Sequence, residues 1–304
     1  MILTVTLNTA LDLTYTVDAL VRHESHRVST VTERAGGKGL NVARVLAAVG
    51  APVLATGLLG GRTGERVAEL LDVPHDFAPI AGETRRTVVV ADGDATGFWE
   101  PGPEVTPGEW ELFVEHYHSL LPGKTAVALS GSVPRGLPAD AYAVLVTAAR
   151  EAGVPVVLDA SGPAFAAALA AGPDVVKPNR DELAEYAPDL YLSVDAGVRM
   201  AADRLRKAGA GSVVASLGSR GLIVVDGDGA HKAVPPVISG NPTGAGDACV
   251  AALVRALHEG APDGAEVARD AAALSAAAVL RPEAGDVDPA DFARLRADVT
   301  VTAI

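Results

Sequence analysis

The sequence predicts an α/β fold built on a mainly parallel sheet, with a small β-sheet as an excursion from it. Three observations carry this. Short β-branched runs alternate with Ala/Leu-rich segments of helical period along most of the 304 residues, the pattern of βα units. Several of those runs end in a polar cluster: Leu7 before Asn8, Leu129 before Ser130 and Gly131, Leu158 before Asp159, Lys177 before Asn179. Two stretches, 13–32 and 84–99, alternate without helices between them (Leu13, Tyr15, Val17; Thr87 to Val90), as antiparallel strands outside the main sheet would.

Taken in order, the predicted strands are 2–7 (ILTVTL), 53–58, 126–130 (AVALS), 154–159 (VPVVLD), 175–177, 213–216 and 221–225. The predicted helices are 39–49, 63–71, 139–152, 194–208, 247–259 and 261–279. Strand and helix alternate, so the connections are crossovers and the sheet is parallel. The polar strand ends then share one edge, where ligands bind in open α/β sheets. The two stretches that break the rhythm read as a small sheet serving as a lid. With no low-complexity linker and no repeat, residues 1–304 read as one domain, with lid strands from about 11–33 and 84–100.

Composition narrows the function. Hydrophobic residues make up 49%, charged residues 21% and aromatic residues 4%, which excludes disorder. At this length roughly 70–75% of the chain's surface is buried on folding, so no metal or disulfide staple is required. A formal charge of −13 repels phosphate backbones and anionic membranes, arguing against nucleic-acid binding. One cysteine, Cys249, excludes an internal disulfide and fits a reducing, cytoplasmic setting. The first residues lack the basic start and cleavage site of a signal peptide, and no apolar run reaches the roughly 20 residues of a membrane span.

The strongest local feature is Asn241-Pro242-Thr243-Gly244-Ala245-Gly246-Asp247, followed by an apolar helix. Thr243 can cap that helix, and Gly244, Ala245 and Gly246 present backbone N–H groups with almost no side chain in the way. That makes an anion cradle. Asp247 is informative because a carboxylate repels an anion; beside such a cradle it suits a base acting on a nucleophile. The plainer alternative is an acidic residue favouring the helix dipole.

Gly36-Gly37-Lys38-Gly39 precedes Leu40-Asn41 at another helix start. A phosphate-binding P-loop would need Gly at the position of Thr32 and Ser or Thr at that of Gly39, so the segment is not one. It offers amides, Lys38 and the Asn41 amide to a small polar ligand, or is a tight turn with a solvated lysine. Lys177-Pro178-Asn179-Arg180-Asp181-Glu182 follows a strand. Asn179 and Glu182, three apart on a first helical turn, can face one point and suit a hard cation; taken alone, an N-cap Asn with its partner Glu is the more common explanation. Ser216-Leu217-Gly218-Ser219-Arg220-Gly221 reads alone as a hairpin. His116 and His118 diverge on a helix, Cys249 reads as a small buried residue, and Asp159 sits at the ligand edge.

Together and in order, these residues resemble the PfkB (ribokinase-like) carbohydrate kinases over nearly the full chain. The matches are Asn8-Thr9-Ala10-Leu11-Asp12, Gly36 to Gly39 with Asn41, Ser130-Gly131-Ser132-Val133-Pro134, Lys177-Pro178-Asn179 to Glu182, Ser216-Leu217-Gly218, and Gly244-Ala245-Gly246-Asp247. The resemblance implies a ribokinase-like three-layer α/β/α sandwich with a β lid, and a phosphotransferase using ATP and Mg²⁺. It implies Asp247 as the base and Gly244, Ala245 and Gly246 as amides stabilising the transferred phosphoryl group. Asp12, Gly37, Lys38, Asn41, Arg85 and Ser130 would hold the sugar. Lys177, Asn179, Ser216, Gly218, Gly221 and Gly246 would border ATP, with Asn179 and Glu182 organising Mg²⁺ through water.

Within the family, Asn8 to Asp12, Thr84-Arg85 and Glu100-Pro101-Gly102-Pro103-Glu104 are similar to the hexose-phosphate branch. There an arginine holds the phosphate already on the sugar, a task suited to the guanidinium fork. The expected reaction is phosphorylation of fructose 1-phosphate, with tagatose 6-phosphate and fructose 6-phosphate as neighbouring acceptors, and an unphosphorylated sugar or nucleoside beyond them. A sugar or nucleotide sensor is the non-enzymatic rival, and the intact Asp247 speaks against it. Two positions depart from the branch: Thr87 where Asn is usual, and Glu283 where glycine is usual after Arg281-Pro282. The sequence does not fix the oligomeric state; the resemblance implies lids that often pair between subunits, and an exposed alternation at Leu13 to Val17 would permit such a homodimer.

Overall fold

The computed structural model describes residues 1–260 and 263–304. The chain opens with β1 (Ile2–Thr6), β2 (Ala10–Thr16), β3 (Thr30–Gly36), α1 (Lys38–Ala48), β4 (Val53–Gly60), α2 (Gly61–Leu70) and β5 (Ala78–Ile80). Next come β6 (Arg85–Ala91), β7 (Ala95–Trp99), α3 (Pro107–Leu120), β8 (Ala126–Ser130), α4 (Ala141–Glu151), β9 (Val156–Asp159), α5 (Gly162–Ala170) and β10 (Val175–Val176). After α6 (Arg180–Tyr186) and α7 (Asp195–Lys207) come β11 (Ser212–Ser216), a 3₁₀ turn over Gly218–Arg220, β12 (Leu222–Val225) and β13 (Ala230–Val234). Three helices, α8 (Ala245–His258), α9 (Gly264–Val279) and α10 (Pro289–Asp298), precede β14 (Thr300–Ala303).

Ten strands form one sheet in the order β14-β13-β12-β11-β10-β9-β8-β1-β4-β5. From β11 through β5 the pairings are parallel, and from β11 to β14 antiparallel. The strand period of two divides the apolar residues between two cores: Ala126 and Ala128 face one with α1, α8, α9 and α10, whereas Val127 and Leu129 face the other with α3, α4, α5 and α7. The result is the expected three-layer α/β/α arrangement. Among the described residues, no helix is long and apolar enough to cross a membrane.

The elements read from the sequence form within a few residues of their expected bounds. Of the helix expected over 261–279, the first two residues lie outside the described ones; it runs Gly264–Val279, its start capped by Asp263. Two further helices carry start signals that periodicity did not expose. Helix α3 begins with a Thr106–Glu109 capping box and Pro107 in its first turn, burying Trp110, Phe113 and Tyr117. Helix α10 starts at an Asp288 cap.

The second sheet is four-stranded, in the order β3-β2-β6-β7. Its flanking pairs are antiparallel but its central pair, β2 with β6, is parallel, which corrects the expectation of antiparallel strands throughout. The segment from 17 to 84 includes β3, α1, β4, α2 and β5, so the chain re-enters this sheet in its original direction. The exposed alternation expected at Leu13 to Val17 is also corrected. Strand β2 is central, and Leu13 and Val17 are buried, while Val31, Phe98 and Trp99 on the flanking strands are exposed.

Candidate active site

Parallel pairing places the C-terminal ends of β1, β8, β9, β10 and β11 along one edge, and each delivers polar residues there: Asn8, Ser130, Asp159, Lys177 and Ser216. Ser130 pairs with Asp159 in register, and the Ser216 N–H donates to the Pro178 carbonyl at 3.0 Å. The Ser130 hydroxyl is buried with no hydrogen-bond partner among the described residues, an unusual state for a buried polar atom.

Asp247 lies in the first turn of α8, buried. The N-cap is Gly244 at φ 87°, with no side chain capping the helix; this corrects the expectation that Thr243 caps it. The left-handed conformation favours glycine, and a Cβ there would lie 2.8 Å from the Ala284 Cα. The first-turn amides keep the anion-attracting character of an uncapped helix start. Burial pushes the Asp247 carboxyl up to about 6, although the Asn41 amide, which donates to it at 2.8 Å, and Lys38 and Lys177 pull it down. At neutral pH it remains ionised and is basic enough to accept a proton.

Two lysines meet on one carboxylate. Lys38 Nζ lies 3.1 Å from Asp159 Oδ2, and Lys177 Nζ lies 3.2 Å from Oδ1. Asp159 is 1% and Lys177 4% exposed, whereas Lys38 is 43% exposed. Burial raises the Asp159 carboxyl, but Lys177 and Lys38 outweigh it and hold the carboxyl below its ordinary value. Lys177 is raised in turn: burial is the largest single influence and lowers it, but the attraction and hydrogen bond of Asp159, with Cys249 and Glu182, together outweigh it. A Cβ on Gly246 would meet Lys177 Nζ at 3.7 Å, so this ammonium stands at the uncapped start of α8.

On the small-sheet side, Asp12 in β2 faces Arg34 in β3 and Thr87 in β6. Burial pushes its carboxyl up, against the Thr87 hydrogen bond and the charges of Arg85, Arg44 and Arg34. The carboxyl occupies the space a Cβ on Gly36 would need. Arg85 is half-buried at the start of β6, its guanidinium donating to the carbonyls of Asn8 at 3.3 Å and Glu100 at 3.4 Å. Gly37 precedes α1 with no capping side chain. Glu283 forms an ion pair with Arg34, joining the 281–285 loop to β3.

Asn179 and Glu182 form a capping box on α6: the Asn179 side-chain oxygen accepts from the Asp181 and Glu182 amides, and Glu182 Oε2 accepts from the Asn179 amide. Among the described residues no group of three His, Cys, Asp or Glu could hold a metal ion. A Mg²⁺ ion held mostly by phosphates and water needs only one or two carboxylates, and the second Glu182 oxygen and Asn179 fit that pattern. Ser216 leads into the Gly218–Arg220 turn, closed by the Leu217 amide donating to the Gly221 carbonyl at 2.8 Å, and β11 pairs with β12 as the expected hairpin. Cys249 is buried, its thiol pushed up to about 11 by burial.

The structure therefore joins Lys38 and Lys177 on Asp159 and Asn41 to Asp247, with Gly246 beside Lys177. Sequence reasoning underweighted Asp159, whose two lysines come from distant segments. It missed Arg44, buried on α1 beside Asn41. Its signal was an arginine three residues after Asn41 on an otherwise apolar helix.

The profile of the pfkB family carbohydrate kinases matches residues 4–291. The chain belongs to that family. Phosphofructokinase-2 from Escherichia coli, solved in complex with fructose-6-phosphate, is 32% identical to this kinase over 97% of this chain and 98% of its own, with a TM-score of 0.89. A Thermotoga maritima protein described as a possible 1-phosphofructokinase is 28% identical over 100% of this chain and 99% of its own, again at 0.89. Arabidopsis thaliana ribokinase, complexed with ribose and ATP, shares the fold at 24% identity and a TM-score of 0.76, covering 97% and 98% of the two chains. The chain is a phosphotransferase, a sugar kinase close in structure to phosphofructokinases.

Proposed function

We propose that this kinase transfers the γ-phosphoryl group of ATP to a hydroxymethyl group of a ketohexose phosphate, with fructose 1-phosphate as the acceptor, yielding fructose 1,6-bisphosphate and ADP. The observation that carries the reading is a buried Asp247, bonded by the Asn41 amide, in the first turn of the uncapped helix that begins at Gly244. A base and an anion cradle at one point are what phosphoryl transfer to a hydroxyl requires.

Asp247 takes the hydroxyl proton as the oxygen attacks phosphorus. Gly244, Ala245 and Gly246 donate amides to the phosphoryl oxygens, and Lys177 offsets their charge from the side of β10. Lys38, Asn41, Asp12, Gly37 and Ser130 orient the sugar, and Arg85 holds its existing phosphate. Asn179, Ser216, Gly218 and Gly221 border the nucleotide. Mg²⁺ at Asn179 and Glu182 would neutralise phosphate charge. Residues 1–304 act as one kinase domain, with the small sheet as its lid. Exposed Val31, Phe98 and Trp99 support a homodimer through that sheet, and a tetrameric form is known for the Escherichia coli relative.

An ADP-release assay over fructose 1-phosphate, fructose 6-phosphate, tagatose 6-phosphate, ribose and adenosine tests this. The highest kcat/KM is expected for fructose 1-phosphate, and loss of turnover in Asp247→Asn. A preference for ribose or adenosine would overturn the acceptor assignment, and near-normal turnover of Asp247→Asn the base.

A further inference from the structure

We propose that Arg44 is a positioning residue for phosphoryl transfer, which fixes the orientation of the Asn41 amide and through it the proton-accepting carboxylate of Asp247. The inference rests on Asp247 as the base.

Arg44 lies on α1, buried at 8% exposed, which is unusual for an arginine. One nitrogen of its fork, Nη2, donates to the Ala35 carbonyl at 2.5 Å, and Nη1 points at Asn41 Oδ1 at 3.4 Å. The only carboxylate ion-paired with Arg44 among the described residues is Asp72, at 3.7 Å and itself 81% exposed. A partner so solvated does little to offset the burial of a guanidinium, and burial drives Arg44 down to about 10. Its neighbours on α1, Val42, Ala43, Val45 and Leu46, are fully buried, and the bond to the Ala35 carbonyl uses only one arm of the fork, leaving Nη1 for Asn41.

The geometry says what the charge does. Asn41 is buried too, and its amide has two distinct ends. With Oδ1 toward Arg44, Nδ2 donates to Asp247 Oδ2 at 2.8 Å. Turned over, the amide would set its oxygen against a carboxylate and its NH₂ against a guanidinium, two repulsive contacts in place of two attractive ones. The guanidinium thus selects the orientation that donates to Asp247. Gly285 lies close against Asn41, where an added Cβ would stand 2.9 Å from Oδ1. The other groups facing Asp247 are Asp159, from the end of β9, and Lys38 and Lys177. None of these touches Arg44, so its influence passes through Asn41.

The test is a double-mutant cycle on the full-length enzyme, with thermal melts of every variant. In Arg44→Gln the Asn41 amide loses its selector, the Asp247 donor is lost part of the time, and the acidic limb of the kcat profile moves up by about one pH unit. Below that limb kcat then falls about tenfold, with KM for the sugar phosphate changed less. In the Asn41→Ala background the same Arg44 substitution is expected to change kcat by less than about twofold, because its target is gone. Arg44→Lys, which keeps the charge but not the fork, is expected to fall between wild type and Arg44→Gln, and it carries the cycle if Arg44→Gln fails to fold. Equal effects of Arg44 substitution with and without Asn41, an unmoved pH limb, or failure of both variants to fold would make Arg44 structural and overturn the inference. Asp247→Asn separates the two readings: activity in that variant removes the base itself, whereas an inactive Asp247→Asn with an additive cycle removes only the role of Arg44.

Discussion

Replacing Asp159 by Asn tests the electrostatic centre of the site. The substitution keeps the side chain's shape and removes the charge that two lysines share at 3.1 and 3.2 Å. The two lysines respond differently. Lys38 is nearly half exposed and can turn its ammonium to water, but Lys177 is 4% exposed and remains buried without its ion-paired carboxylate. Removing one member of a buried ion pair costs about 3–5 kcal/mol, a large part of the 5–15 kcal/mol by which a domain is stable. At roughly 2 °C per kcal/mol for a chain of this size, Tm is expected to fall by about 6–10 °C. Urea denaturation at pH 7 measures the loss directly. Lys177→Met added to Asp159→Asn is expected to recover most of it, since the stranded charge then disappears. The pH dependence has a fixed sign. The Asp159 carboxyl is held below its ordinary value, so its contribution is complete above the unfolded value near 3.9 and is lost as pH falls through the lower folded one; wild type and variant converge in acid. A loss under about 1 kcal/mol, or a double variant no more stable than Asp159→Asn, would refute the account of Lys177 as the dependent partner.

Asp247→Asn is expected to stabilise the protein while it abolishes transfer. The folded carboxyl titrates near 6, above its unfolded value, so folding opposes its ionisation and stability is lost as pH rises from about 4 to 6. Two units correspond to up to about 3 kcal/mol, and thermal melts at pH 7 that show no gain would place the carboxylate in a wetter setting. Arg85→Ala is expected to raise KM for fructose 1-phosphate about tenfold or more and leave KM for unphosphorylated sugars within about twofold. Steady-state kinetics that show equal effects on both would remove its role as a phosphate anchor.

The ligand edge was legible because polar residues ended strands in the sequence itself, and parallel strands align their ends. Asp247 was legible because three small residues precede it on a helix start. The two lysines on Asp159 were not, because Lys38 comes from α1, 121 residues away in the chain, and only the folded structure shows that it shares that carboxylate with Lys177 from the neighbouring strand end. Helices α3 and α10 escaped a periodicity reading because their polar faces are wide; their caps, Thr106 with Glu109 and Asp288, were the better signal. Asn179 and Glu182 show the opposite difficulty, since one spacing serves both a capping box and a cation site, and the structure shows the capping box formed.

The parallel pairing of β2 with β6 bears on the order in which the molecule assembles. Asp12 and Thr87 stand opposite each other in register although β3, α1, β4, α2 and β5 intervene in the chain. No local hairpin can bring these strands together, so closure of a long loop must precede any gain from their hydrogen bonds. The small sheet therefore has no way to form as a separate unit ahead of the main sheet's β1–β4 pair, which delivers both strands to the same place. During synthesis β2 has an early partner in β3, the next strand of the chain, but its pairing with β6 waits until the intervening β4 and α2 have packed. The pocket between Asp12 and Thr87 is then completed only after the first βα units have packed, and a chain in which they fail to pack does not complete it.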